Sequence, residues 1–130
     1  MTNTKKNKTF SVRARIKSAT HAWRGIVLLV KTVHNLWGHI FFGALALYLG
    51  FILKISNVEL VLLVLTIGLV LLAESINSAI EININLISPE YHPYARDTKD
   101  VAAGAVLLSV IVALLVGLII FLPKILSPWI

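Results

Sequence analysis

The sequence predicts an all-α membrane protein: three transmembrane helices preceded by an amphipathic surface helix. Three observations carry that expectation. Hydrophobic residues fill 58% of the 130 positions and charged residues 14%, whereas a soluble domain carries about 25% charged residues. The apolar residues lie in long runs of bilayer-spanning length, separated by short polar breaks, within a single domain. Finally, positive charge is concentrated ahead of the first run, at Lys5, Lys6, Lys8, Arg13, Arg15, Lys17, Arg24 and Lys31, with no acidic residue among them.

The net charge of +6 follows from that concentration. A basic segment ahead of membrane spans reads as attraction to anionic lipid headgroups rather than to nucleic acid. The segment is too long for the charged region of a secretory signal peptide, and no small-residue cleavage site follows a short apolar core. The chain has no Cys, which excludes a disulfide framework and a thiolate metal site.

Residues 1–9 are polar and basic, and are expected to be a disordered tail. In residues 10–33, Phe10, Ala14, Ile16, Ala19, Trp23, Ile26, Val27 and Val30 recur at helical spacing, interleaved with Arg13, Lys17, Arg24 and Lys31. This pattern predicts the surface helix, with Trp23 at headgroup level. The first span is expected over residues 36–53, with Gly38, Gly43, Gly50 and a single His39. His39 reads as an interhelical hydrogen-bond partner and the glycines as packing sites. Lys54 to Asn57 forms a turn. The second span is expected over residues 58–84. Residues 88–100 hold Pro89 and Pro93, which predicts a shaped loop, with Asp97 as N-cap of the next helix. The third span is expected over residues 101–122. It opens with Ala102, Ala103, Gly104 and Ala105, is stopped by Pro123, and is followed by Trp129 at the interface. The positive-inside rule then predicts a cytoplasmic N-terminus, a cytoplasmic 85–100 segment and a C-terminus outside.

The second span ends in Glu74-Ser75-Ile76-Asn77-Ser78-Ala79-Ile80-Glu81. Positions 74, 77 and 81 are spaced three and four, so a helix stacks them on one face over two turns. An ionised carboxylate near mid-bilayer costs about 2.5–3.5 kcal/mol on insertion scales, so such a group marks a functional site. Hard oxygen ligands beside Lys99-Asp100 suit Mg²⁺ and phosphates. A carboxylate at the edge of the apolar phase can serve as general base on a hydroxyl. Together these are the parts of phosphoryl transfer to an alcohol. The chain carries neither a Gly-x-x-x-x-Gly-Lys-Ser/Thr loop nor a Gly-rich kinase loop. From the chemistry alone, an intramembrane proton or cation pathway fits equally well.

The 74–81 segment, followed by Glu90-Tyr91-His92-Pro93 and Lys99-Asp100-Val101-Ala102-Ala103-Gly104-Ala105-Val106, resembles the small bacterial diacylglycerol kinases. His92-Pro93 and the 99–106 run are most similar to the Gram-positive undecaprenol kinase branch. The resemblance extends ungapped from about Phe10 to the end of the third span and includes Trp23-Arg24-Gly25, Asn35 and His39. It implies an ATP- and Mg²⁺-dependent kinase of a membrane lipid alcohol, undecaprenol or diacylglycerol, in a bacterial cytoplasmic membrane. It also implies a homotrimer with active sites between subunits at the cytoplasmic interface. By resemblance, Glu74 is the catalytic base and Asn77 shapes the site. Glu81 holds the metal on ATP. Glu90, Tyr91, His92, Lys99, Asp100 and His21 contact the nucleotide, and Trp23 and Ala103, with Glu74, contact the lipid.

Three positions depart from the family pattern. Its second metal-binding Glu, in the surface helix, is Val33 here; an Asp at the end of the motif is Asn85; an Arg early in the surface helix is Ala14, flanked by Arg13 and Arg15. Val33 leaves two readings of the resemblance open: an active kinase, or a kinase-inactive relative that keeps the fold as a membrane binding or regulatory trimer.

Overall fold

The computed structural model describes residues 11–127. The expected basic tail, Phe10 and Trp129 lie outside the described residues. Four helices follow one another: α1 (Val12–Thr32), α2 (His34–Ile52), α3 (Asn57–Ile87) and α4 (Pro93–Leu126). Among the described residues there is no strand. Helices α2, α3 and α4 are each long and apolar enough to cross a membrane, so the protein is an all-α membrane protein with one helix ahead of its three spans.

Helix α1 starts at Ser11, whose hydroxyl accepts the Ala14 N–H at 3.4 Å, and it buries none of its residues. Its interleaved charges leave it no fully apolar face to bury in a core. The break to α2 is a single residue. Val33 is extended (φ −100°, ψ 101°) and its N–H closes α1 on the Leu29 carbonyl at 3.0 Å. A β-branched residue fits that extended geometry. The Trp37 indole N–H donates to the Val30 carbonyl at 3.0 Å, bridging the break.

Helix α2 packs on α3 through a stripe of small and apolar residues, with Leu36, Gly43 and Gly50 buried at seven-residue spacing. A Cβ on Gly43 would lie 3.0 Å from Ile67 Cγ2, so the missing side chain is what admits the neighbouring helix. Gly43→Leu is expected to destabilise the protein by about 1–3 kcal/mol through overpacking, read as a lower Tm in detergent. An unchanged Tm would show that this contact does not hold the helices.

The turn after α2 closes as a Schellman motif. The Ile55 N–H reaches the Gly50 carbonyl and the Lys54 N–H the Phe51 carbonyl. Lys54 takes the left-handed conformation (φ 49°). Helix α3 then begins with a capping box: Ser56 N–H donates to Glu59 Oε2 at 2.6 Å, and Glu59 N–H to Ser56 Oγ at 3.3 Å. Glu59 Oε2 also meets Lys124 Nζ at 3.2 Å, joining α3 to the far end of α4.

The second connection differs from the sequence expectation. Helix α3 continues to Ile87 and α4 begins at Pro93, with His92 as N-cap, so only a short link separates them. Asp97 is inside α4 and does not cap it. The physical reason is Pro93 at the first helical position, where the missing N–H has no intrahelical partner to lose, while His92 before it is held extended. Pro123 likewise does not stop α4, which runs to Leu126. Its ring removes one bond near the helix end, and the Ser127 N–H still reaches the Pro123 carbonyl.

The α3–α4 pair forms the longest packed seam. At 1.5 Å per residue these helices measure about 46 and 51 Å, against a hydrocarbon core of about 30 Å. Each is therefore long enough to extend beyond the apolar layer, and the adjoining ends, near Ile87 and Pro93, carry the polar residues. Within the spans, the Thr66, Ser75 and Ser78 hydroxyls donate to carbonyls one turn back at 2.6–2.9 Å. In lipid, no water would satisfy them.

Candidate functional site

The buried stripe of α3 is Leu63, Thr66, Val70, Glu74, Asn77 and Ser78. Its first half is apolar apart from Thr66, and its second half is polar. The spacing of three and four turns one continuous face toward its neighbours. Glu74 is 3% exposed, and Glu81, one turn beyond Asn77, is exposed.

Glu74, Asn77, Ser78 and Glu81 line one polar cavity of about 400 Å³. Its other wall is the α1–α2 break: Leu28 and Thr32 from α1, Val33 itself, and His34 and Asn35 from α2. The helix break thus positions the site, since an unbroken α1–α2 helix would carry its first half away from α3. Inside the cavity Asn77 Nδ2 donates to Glu81 Oε1 at 3.4 Å. Among the described residues Asn77 Oδ1 is buried without a hydrogen-bond partner, an uncompensated acceptor of the kind that a cation or donor-bearing ligand satisfies. His39 of α2 approaches from above, its Nε2 lying 3.9 Å from Glu74 Oε2.

One turn past Glu81 on the same face, Asn85 Oδ1 accepts from Lys99 Nζ at 2.6 Å. The residue that departs from the family Asp is therefore the helix-α3 partner of the α4 lysine. Asp100 instead pairs along its own helix with Arg96 at 3.5 Å. In the link, Ser88 Oγ donates to the Glu90 carbonyl at 3.2 Å. The His92 and Tyr94 rings lie 5.7 Å apart between centroids.

The structure therefore brings together Glu74, Asn77 and Glu81, with Lys99 reaching the same helix face one turn further on. It does not bring Glu90, Tyr91, His92, Asp100, His21, Trp23 or Ala103 into the walls of this cavity. Trp23 is 67% exposed. Thr32 and Ile82 were not singled out by sequence. Thr32 carries no distinguishing signal, being a hydroxyl that caps its own helix turn on the Leu28 carbonyl. The partner of His39 was also not legible, because it depends on the depth at which α2 meets α3.

A second, apolar groove of about 610 Å³ lies between α2, α3 and α4 and includes His39, Gly43, Thr66, Val70, Val110 and Phe121 in its walls. His39 thus stands beside both the apolar groove and the carboxylate of the polar cavity.

A family model described as prokaryotic diacylglycerol kinase matches residues 20–121. The undecaprenol kinase of Bacillus subtilis is 39% identical over 108 residues, which cover 83% of this chain and 88% of that protein. A diacylglycerol kinase of Synechocystis is 36% identical over 111 residues, 85% of this chain and 63% of that protein. The diacylglycerol kinase of Escherichia coli is 30% identical over 109 residues, 84% of this chain and 89% of that protein. The matched region spans the cavity, both of its walls and the Lys99 segment, so the chain belongs to the prokaryotic diacylglycerol kinase family.

Proposed function

We propose that this membrane lipid kinase transfers the γ-phosphate of ATP, with Mg²⁺, to the hydroxyl of a membrane lipid alcohol, undecaprenol or diacylglycerol. The observation that carries the reading is Glu74: a carboxylate 3% exposed in an apolar span, facing a polar cavity with Asn77 and Glu81. Glu74 takes the hydroxyl proton as the lipid oxygen attacks the γ-phosphorus. The P–O bond to the β-phosphate breaks and ADP leaves with the bonding pair. Lys99 exchanges its Asn85 contact for phosphate oxygens and offsets their charge. Asn77 holds the Glu81 carboxylate in place through its Nδ2 bond.

The residues present fit a hard cation. Glu81 and the partnerless Asn77 Oδ1 are oxygen donors in one cavity. Among the described residues no group of three or more His, Cys, Asp or Glu converges as a protein-only metal site, and Val33 supplies no side-chain oxygen. Glu81 and Asn77 would hold Mg²⁺ together with waters and phosphates, as this ion commonly binds. When bound, it supplies charge neutralisation on the phosphates.

A homotrimer is part of this reading. In one chain the link residues Glu90, Tyr91 and His92 lie outside the Glu74 cavity, and a neighbouring copy would bring nucleotide-binding residues to it. The basic residues of α1 favour a cytoplasmic face for that end, where ATP meets the lipid hydroxyl.

The test is phosphate transfer from ATP by the purified protein in mixed micelles, with undecaprenol and diacylglycerol offered separately. Phosphorylated product with one or both is expected, and the ratio of kcat/KM values gives the preference. No product from folded protein would overturn the reading and favour a binding role, with Val33 as its cause. Recovery of product by Val33→Glu would then locate the defect at the metal.

A further inference from the structure

The kinase reading gives no task to His39, a polar side chain within the spans. His39 is half-buried on the second turn of α2, and its Nε2 lies 3.9 Å from Glu74 Oε2. Among the described residues the Glu74 carboxylate accepts no hydrogen bond, and Ser78 Oγ is directed at the Glu74 backbone carbonyl instead. A base that must present one oxygen to a hydroxyl needs its carboxylate plane fixed, and an activated base is commonly oriented by a third group. From α3 and α1 the cavity offers Asn77, Glu81 and Thr32. Asn77 is already committed to Glu81 and Thr32 to its own helix. From α2, His34 and Asn35 also line the cavity, but the α2 side chain that comes within 4 Å of the carboxylate is His39.

The structure assigns His39 as the positioning residue of Glu74. The imidazole donates its Nε2–H to Glu74 Oε2, leaving Oε1 free for the lipid hydroxyl. This assignment rests on Glu74 acting as base. The contact tightens from 3.9 Å to hydrogen-bond length when substrate binds, as catalytic contacts in ligand-free structures commonly do. In the transfer step the lipid O–H bond breaks and its proton passes to Glu74 Oε1. His39 neither gains nor loses a proton. The placement depends on Gly43, one turn further along the same face of α2, whose missing side chain brings α2 against Ile67 of α3.

His39→Leu removes the donor while keeping a side chain suited to the apolar groove. It is expected to lower kcat by about 10–100-fold, the cost of a misplaced reacting group, with the KM for ATP and for lipid within about twofold of the parent. His39→Gln restores an N–H donor and is expected to recover most of the lost kcat. Parent-like kcat in a folded His39→Leu protein overturns the assignment, and so does a His39→Gln protein as slow as His39→Leu. Should His39→Leu fail to fold, the ¹⁵N resonance of the imidazole Nε2 decides, assigned by its loss in His39→Gln. A shift on Glu74→Gln supports the contact, and no shift overturns it. Glu74→Ala is run alongside. If it keeps activity, the base reading itself falls. If it is inactive while His39→Leu matches the parent, only the role of His39 falls.

Discussion

Glu74→Ala is expected to reduce kcat for lipid phosphorylation by about 10²–10⁴-fold, the contribution of a positioned general base. The effect should fall on kcat and leave KM for ATP nearly unchanged, because Glu74 would meet the hydroxyl and not the nucleotide. Glu74→Gln separates chemistry from packing. It keeps the shape of a side chain that is 3% exposed but cannot take the proton, so it should be as inactive as Ala while melting at a higher temperature. The Ala variant leaves a hole in the α3 stripe, and its lower Tm is the sign of that hole. A Gln variant with parental turnover would remove Glu74 from the chemistry altogether.

Glu81→Gln should act differently. Its carboxylate is exposed, and Asn77 Nδ2 fixes one of its oxygens at 3.4 Å. Gln keeps one amide oxygen but removes the charge, leaving only neutral oxygens among those assigned to the ion. The Mg²⁺ concentration for half-maximal activity is expected to rise about 10–100-fold, with partial recovery of rate at saturating Mg²⁺. Titrating Mg²⁺ against the parent and the variant checks this. An unchanged Mg²⁺ requirement would move the metal away from α3. Because Val33 supplies no side-chain oxygen, the dependence on Glu81 should be steep.

Much of this architecture is legible in the residues themselves. The three spans follow from run length and from the scarcity of charge within them. The common face of Glu74, Asn77 and Glu81 follows from spacing alone. What spacing does not convey is where a helix stops when a proline can serve either side of the boundary. Pro93 reads as loop but opens α4, and Pro123 reads as a stop but lies inside the helix. The depth at which α2 meets α3 is also hidden, because it is decided by a glycine against one isoleucine. That is why the partner of His39 emerged only in three dimensions. The helix break in the other cavity wall is hidden for a related reason: the resemblance marks Val33 as a family metal-ligand position, but nothing in the sequence shows that it is the single extended residue between two helices.

The ion pair between Lys124 and Glu59 has a mechanical meaning for the opposite end of the molecule. It pins α3 to α4 far from the chemistry and is backed by the Ser56 cap. The near end is fastened by the bond from Lys99 to a neutral amide at Asn85, which a phosphate can outcompete. The pair is therefore fastened at both ends, by an ion pair at one and by a bond to a neutral amide at the other. About 39 Å of helix separates Glu59 from Asn85 at 1.5 Å per residue. The register of α3 against α4 at the Lys99–Asn85 contact beside the cavity is thus also held by a side-chain pair about 39 Å of helix away from it.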